Sequence, residues 1–226
     1  MYLSIVIPSL NEADNIVATL IPLQVMRTRG VEVILSDGRS TDATKKQAAP
    51  LVDRIVESKP GRATQMNAGA KMATGDILLF LHADSILPPD ADALIGNGLQ
   101  SASRTWGRFE VTIDGQHFFL PVLAWFMNHR SRLTGIATGD QGLFMTRTAF
   151  DAAGGFTDMP LMEDVAMCVA LRKNGAPLCI AQKIVTSGRR WEKHGVWRTI
   201  FLMWRLRLAY FFGADPAALH RAYYGK

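Results

Sequence analysis

The sequence predicts an α/β fold, a mostly parallel sheet flanked by helices, from three observations. Through the first hundred residues, short apolar strands alternate with polar or amphipathic helical segments, and that order lays parallel strands beneath covering helices. Polar residues gather where the strands stop, and open α/β sheets bind ligands at the carboxyl ends of their strands. Beyond residue 100 the rhythm changes, which predicts a smaller antiparallel part and a C-terminal amphipathic helix.

The first strand is LSIVIP (3–8), and helical spacing follows over 15–24. VEVILS (31–36) and RIVES (54–58) are the next two strands, with helices over 42–49 and 63–73. DILLFLHA (76–83) is the fourth strand. On an extended strand end His82 and Asp84, two residues apart, face the same way. Pro88 and Pro89 then mark a turn that leads into a helix. In the second half WGRFEVTID (106–114) reads as an antiparallel strand, and residues 118–135 as an apolar segment followed by a basic one. Residues 138–150 read as a turn and a strand, and residues 162–175 as a helix that Gly175 stops. Residues 196–213 form a helical segment with arginines among large apolar side chains. No repeat or linker interrupts the chain, so 1–195 is expected to be one domain, with halves at 1–100 and 101–195, and 196–226 a helical appendage.

A chain of 226 residues, 48% of them apolar, can bury one sizeable core. The opening MYLSIVIPSLNE has no basic stretch before its short apolar run, so a signal peptide is not expected. No apolar run approaches the roughly 18 residues of a spanning helix. Cys168 and Cys179 have no metal-like spacing, and such sparse cysteine fits a reducing cytosol, so a cytoplasmic location is expected. The net charge of +5 is unevenly spread. From Lys183 onward nine Lys/Arg stand against Glu192 and Asp215, and the remainder of the chain is slightly acidic. Such a tail suits phosphates, nucleic acid or an anionic membrane surface. No nucleic-acid module accompanies it, and nucleic acid is not expected as a partner.

Neither a GxGxxG turn nor a GxxxxGK[ST] loop is present, so a ligand must be held by side chains, with or without a metal. In SDGRSTD, Asp37 follows an apolar strand; it suits a solvated turn equally well as a carboxylate accepting a nucleobase N–H. In GRATQMNAG, Gly61 opens a helix with Arg62 and Asn67 behind it, a natural place for a phosphate. Asp84 suits a hard divalent cation bridging diphosphate oxygens, though one carboxylate cannot hold it alone. Glu163 and Asp164 open a helix, where the dipole favours acids in any protein; facing the crevice, one of them becomes a general base.

Seven stretches in order, SIVIPSLNE, SDGRSTD, GRATQMNAGA, LLFLHAD, GDQGLFM, MEDVAM and GRRW, resemble a family 2 glycosyltransferase of the GT-A fold over about residues 1–195. In particular the chain is similar to a bacterial branch of small family 2 transferases whose acceptor is unknown. The resemblance implies a nucleotide-binding half at 1–100 and an acceptor half at 101–195. It implies that Pro8, Asn11, Glu12, Asp37, Arg62, Asn67, His82 and Ala83 bind the nucleotide. Asp84 takes the metal-binding place of a D-x-D signature, with His82 at its first position. Asp164 matches the base of inverting members, with Glu163 and Arg190 beside it as catalytic candidates. Asp140, Gln141 and Trp191 fall on the acceptor side. Ser187 stands where processive members have the Gln of Q-x-x-R-W, so polymer synthesis is not expected. His194 is a candidate replacement ligand for the metal.

The expected activity is transfer of a sugar from a nucleotide-diphosphate sugar, with Mg²⁺ or Mn²⁺ as cofactor and Arg189 and Arg190 beside the departing diphosphate. Along 196–213, Trp197, Phe201, Leu202, Trp204, Leu208, Phe211 and Phe212 with Arg198, Arg205 and Arg207 suit a helix at a membrane interface. Packing onto the domain, or onto a second copy in a homodimer, explains them too. A lipid-linked or apolar acceptor follows as a candidate partner, and a peripheral position on the inner face of the membrane as a candidate location. A non-catalytic nucleotide-sugar-binding or membrane-surface module is the competing reading; it would not need Asp164.

Overall fold

The computed structural model describes residues 2–224, apart from the side chains of Arg190, His194 and Tyr224. The first half alternates as predicted: β1 (Leu3–Ser9), α1 (Ile16–Arg27), β2 (Glu32–Asp37), α2 (Thr44–Ala48), β3 (Arg54–Glu57), α3 (Arg62–Met72) and β4 (Ile77–Phe80). There follow β5 (Ser85–Ile86), α4 (Ala91–Ser101), β6 (Trp106–Asp114), α5 (Leu120–Thr134), β7 (Leu143–Thr146), α6 (Arg147–Ala152), α7 (Glu163–Arg172) and β8 (Leu178–Ser187). The chain ends in α8 (Arg189–His194), α9 (Val196–Phe211) and α10 (Pro216–Tyr224). Among the described residues one sheet of eight strands runs β3-β2-β1-β4-β7-β6-β8-β5. Strands β3, β2, β1 and β4 are mutually parallel, and β7 joins β4 antiparallel.

Strand alternation sorts the core into two layers. Leu3, Ile5 and Ile7 of β1, Val33 and Leu35 of β2 and Leu79 of β4 pack with Leu20 and Leu23 of α1 and Ile95 and Leu99 of α4. On the other face Val6, Ile34, Leu78 and Phe80 meet Met66 and Ala70 of α3, Phe150 of α6 and Met167 and Leu171 of α7. Helix α3 lies close because Gly69 has no side chain; a Cβ there would strike Val6 Cγ1 and come within 3.3 Å of Ser36 Cβ.

Three expectations are corrected. The fourth strand stops at Phe80, and the chain turns through Ala83 and Asp84, with Ser85 N donating to the His82 carbonyl at 3.2 Å. His82 and Asp84 therefore do not share a strand face. Strand β6 is antiparallel to β7 through Trp106 and Gly107 only, and parallel to β8 from Gly107 to Asp114, with a bulge after Phe109. Strand β8 was not foreseen: its outer residues Ala181, Gln182 and Lys183 are exposed, which hides its apolar alternation.

The C-terminal helices pack onto the second half. Val196 and Ile200 join Leu120, Leu123 and Ala124 of α5, while Leu206 and Leu219 join Met162 and, at the cluster's edge, Leu161 and Val165. Helix α9 thus seats against the turn that delivers Glu163 and Asp164.

Candidate active site

Adjacent parallel strands β2, β1 and β4 bring three strand ends together. Asn11, in a left-handed conformation (φ 55°), ties the first two: its N–H donates to Ser40 Oγ at 2.9 Å and its Oδ1 accepts from Thr41 N at 2.9 Å. The Asp37 carboxylate is wholly buried and accepts from Ser40 N at 2.8 Å and Ser40 Oγ at 2.5 Å, so it fixes its own loop. Gln65, which the sequence reading passed over inside GRATQMNAG, donates from Nε2 to the Ser9 carbonyl at 2.6 Å and the Ser36 carbonyl at 3.1 Å. It thereby anchors α3, and with it Arg62, to both strand ends.

Charges converge above these ends. Burial pushes the Glu12 carboxyl up; its bond from Asn15 Nδ2 (2.8 Å) pulls it down, Asp84 pushes it up, and Arg189 and Arg62 pull it down. Asp84, Arg189 and Arg62 therefore all lie within electrostatic reach of Glu12. An open groove of about 490 Å³ extends from Asn15 past Arg189 to Glu192. Among the described residues Asp84 carries only a long hydrogen bond, 3.4 Å from Ser85 Oγ. Among the described residues no three His, Cys, Asp or Glu side chains cluster as a metal cage. The donor set nevertheless fits Mg²⁺ or Mn²⁺, since such cations commonly take one or two carboxylates and complete their shell with phosphate and water oxygens.

Deeper in, Pro8, Arg62, Phe80, His82, Gly139, Glu163 and Asp164 enclose a cavity of about 10 Å³, room for about one water. Although His82 keeps a partly exposed edge, its Nε2 is closed off and has no hydrogen-bond partner among the described residues. Burial, with Arg62 adding to it, pushes the imidazole down to about 3, so the ring is neutral near pH 7. A Cβ on Gly139 would run into His82 Nε2, so only glycine lets the two segments approach.

Glu163 is 2% exposed and stands 3.5 Å from Arg62. Burial first, and Asp164 next, push its carboxyl up, while Arg62 pulls it down. Met162 adopts a left-handed conformation (φ 72°) that starts α7. Asp164 then accepts from Gly139 N at 2.9 Å through Oδ2 and from Val165 N at 2.7 Å through Oδ1. Beyond it lies a second charge cluster. Burial pushes Asp140 up; Thr138, Arg207 and Arg130 pull it down, and Asp164 pushes it up. Arg130 is pushed down to about 10 by burial and then by Arg207. Sequence reasoning missed Arg130 and sent Arg207 to a membrane face. The signal was the spacing of seven from buried Ile200 to Arg207, which keeps both on one helix face.

Several predicted residues serve the scaffold. The Asn67 amide is spent on the backbone of Phe156, at 2.8 and 2.9 Å. The Ala83 carbonyl accepts from Thr19 Oγ1 at 2.7 Å. Gln141 is fully buried and closes a capping box with Thr138. Trp191 packs at the edge of the α5 and α9 cluster. Pro8 lines the cavity. The side chains of Arg190 and His194 lie outside the described residues, and with them the metal reading of His194.

Outside the crevice, Trp197, Phe201, Trp204, Leu208 and Phe211 form an exposed stripe along α9, with Arg198 and Arg205 also exposed. Trp197 contacts Phe119 at a ring-centroid distance of 4.6 Å, and Phe118, Trp125 and Phe126 are exposed as well. Among the described residues, no helix is long and apolar enough to cross a membrane.

The model of glycosyl transferase family 2 matches residues 4–149. The chain is 33% identical over 90 residues to the amylovoran biosynthesis glycosyltransferase AmsB of Erwinia amylovora, covering 36% of this chain and 30% of that protein. It is 40% identical over 98 residues to the PGL/p-HBAD biosynthesis glycosyltransferase Rv2957 of Mycobacterium tuberculosis (strain ATCC 25618 / H37Rv), covering 40% and 38%. These matches span about a third of the relatives' lengths. Among solved structures, the mannosyltransferase PcManGT from Pyrobaculum calidifontis, in complex with GDP-Man and Mn²⁺, superposes with a TM-score of 0.65 at 20% identity, covering 97% of this chain and 68% of that one. That likeness establishes the GT-A fold.

Proposed function

Because the chain belongs to glycosyl transferase family 2, we propose that it transfers a sugar from a nucleotide-diphosphate sugar to an acceptor hydroxyl, with inversion at the anomeric carbon. The observation that carries this reading is the pairing of two sites. Glu12 feels the charges of Asp84, Arg189 and Arg62 at the strand ends, and Arg62 lines the same cavity as Asp164, which the Gly139 amide holds.

The nucleotide lies over the ends of β1 and β2, where Asn11, Asp37 and Gln65 fix the loops it rests on. Asp84, with Glu12 beside it, would hold Mg²⁺ or Mn²⁺, which supplies Lewis-acid charge to the departing diphosphate. Arg189 adds positive charge from α8, and the Glu163 contact keeps Arg62 turned toward the cavity. Each Asp164 oxygen accepts one backbone N–H and keeps a lone pair, so the carboxylate is oriented and still able to take the acceptor's hydroxyl proton. As that proton moves to Asp164, the acceptor oxygen bonds to the anomeric carbon. The bond to the diphosphate breaks on the opposite side, and the diphosphate leaves with the electron pair. In this reading residues 1–195 carry the two halves of the site, and α9 and α10 brace the acceptor side through Leu206 and Leu219.

The α9 stripe, flanked by Arg198 and Arg205, supports peripheral contact with an anionic membrane surface, where aromatic side chains insert and arginines meet headgroups. The donor reading is tested by thermal-shift screening of UDP-, GDP- and dTDP-sugars with and without Mn²⁺. A donor at 100 times its Kd stabilises by about 2.7 kcal/mol, or about 5–11 °C for a chain of this size. No shift with any nucleotide in either condition would remove the donor-site assignment.

A further inference from the structure

His82 Nε2 is closed off from solvent and makes no hydrogen bond among the described residues, whereas buried polar atoms nearly always have partners. Its ring lines the cavity of about 10 Å³ together with Arg62, Gly139, Glu163 and Asp164. Gly139 joins two of these walls: a Cβ there would strike His82 Nε2, and its N–H donates to Asp164 Oδ2 at 2.9 Å. Arg62 and Glu163, 3.5 Å apart, close another part of the wall. The remainder is apolar, with Phe80 and Phe156 packed edge to face at a centroid distance of 4.7 Å. The Asn67 amide clamps the Phe156 backbone at 2.8 and 2.9 Å, which leaves the cavity little freedom to widen.

In the proposed transfer the anomeric carbon sits between the departing diphosphate and the acceptor oxygen whose proton passes to Asp164. A cavity bordered by Asp164 and Arg62 therefore lies beside that carbon. The ring neighbours of the anomeric carbon are the ring oxygen, which bears no hydrogen, and the carbon that carries the 2-hydroxyl. The 2-hydroxyl is thus the hydroxyl nearest the cavity. It is about the size of the water the cavity admits, and it both donates and accepts, so it suits His82 Nε2 in either tautomer. An acetamido group puts a nitrogen, a carbonyl and a methyl group in place of that single oxygen and does not fit.

We infer that His82 is a specificity-determining residue whose Nε2 receives the 2-hydroxyl of the donor sugar in this cavity, so that the donor is a hexose with a free 2-hydroxyl rather than a 2-acetamido sugar. This placement rests on the proposed transferase reading, which sets the anomeric carbon beside Asp164. It assigns His82 to the sugar and leaves the nucleotide to the loops at the ends of β1 and β2. Hydrogen bonds to a 2-hydroxyl strengthen as the anomeric carbon gains positive charge, so the contact favours turnover as well as binding.

The test is calorimetry on the full chain with Mn²⁺. UDP-glucose, dTDP-glucose and GDP-mannose are each compared with their 2-deoxy analogue and their free nucleoside diphosphate, and UDP-glucose also with UDP-N-acetylglucosamine. In the nucleotide series that binds, the 2-deoxy analogue is expected to be weaker by about tenfold, because it leaves a buried polar group unpaired. Where UDP binds, the acetamido sugar is expected to be weaker by at least as much. His82→Leu narrows the gap between hexose and 2-deoxy analogue to within twofold, and His82→Gln restores part of it. Free diphosphate affinity stays within twofold in both variants and certifies that they are folded. A 2-deoxy or N-acetylated donor that binds the wild type as tightly as its parent hexose overturns the assignment, and this comparison needs no variant. So does a His82→Leu chain that keeps the gap, or that loses free diphosphate affinity equally. If none of the free diphosphates binds, the donor-site reading itself falls; diphosphate binding without discrimination at the 2-position removes the His82 assignment alone.

Discussion

Substituting Gly139 with Ala adds one methyl group at the point where two functional segments touch. That methyl would collide with His82 Nε2, and the Gly139 amide it sits on donates to Asp164 Oδ2 at 2.9 Å. Either the imidazole moves into the cavity of about 10 Å³, which is too small for it, or the turn at Gly139–Gln141 retreats from Asp164. Overpacking of this kind costs about 1–3 kcal/mol, a fall in Tm of about 2–12 °C for a chain of this length. A retreat of about 1 Å would cost about 100-fold in turnover. His82→Ala vacates the contested space, so in the double variant the two changes are expected to compensate by about 0.5–3 kcal/mol. The assay is a double-mutant cycle in Tm and in nucleoside diphosphate release from the donor identified by thermal shift. A Gly139→Ala chain with wild-type Tm and turnover, or strictly additive losses in the double variant, would refute the packing argument.

Three further outcomes are expected. His82 is held down to about 3 in the folded chain against 6.5 ordinarily; the unfolded chain binds the extra proton, so stability falls as pH drops from about 6.5 toward about 3. His82→Gln should lose less Tm than the wild type between pH 7 and pH 4, and equal losses would contradict the assignment. Asp84→Asn should abolish the Mn²⁺-dependent part of nucleotide-sugar affinity in calorimetry and spare the metal-independent part; an undiminished Mn²⁺ effect would move the cation site elsewhere. Phe201→Ser with Trp204→Ser changes residues 69% and 65% exposed, so Tm should shift by little while sedimentation with phosphatidylglycerol vesicles falls several-fold. Unchanged vesicle binding would detach the stripe from the membrane reading.

The parallel half of the fold was legible because each strand there is a short apolar run bounded by turn residues and followed by helical spacing. The strand partners of the second half were not, since β6 and β8 pair across about seventy residues and that choice is made by packing rather than by local pattern. The strand ending at His82 was read too long because Leu81 continues the apolar run, although the backbone has already left the ladder. Within the site, the acidic pair of α7 and the residues at the strand ends could be picked out by type and position. Their division of labour could not: Asp37 and Asn67 look alike as free polar groups in sequence, yet each is consumed by nearby backbone groups or a neighbouring hydroxyl. Helix α9 is apolar on nearly all sides, so its periodicity leaves the inward face undefined, and Arg207 was assigned outward with Arg205.

The claim that joins these observations is that Asp164 takes the acceptor proton beside a nucleotide held by other residues. Its most direct measurement is Asp164→Asn, read as nucleotide-sugar Kd by calorimetry and as turnover by nucleoside diphosphate release. The account predicts Kd within twofold of wild type and turnover lower by about 10²–10⁴-fold, the usual contribution of a positioned general base. Turnover that survives the substitution at the wild-type rate would contradict it.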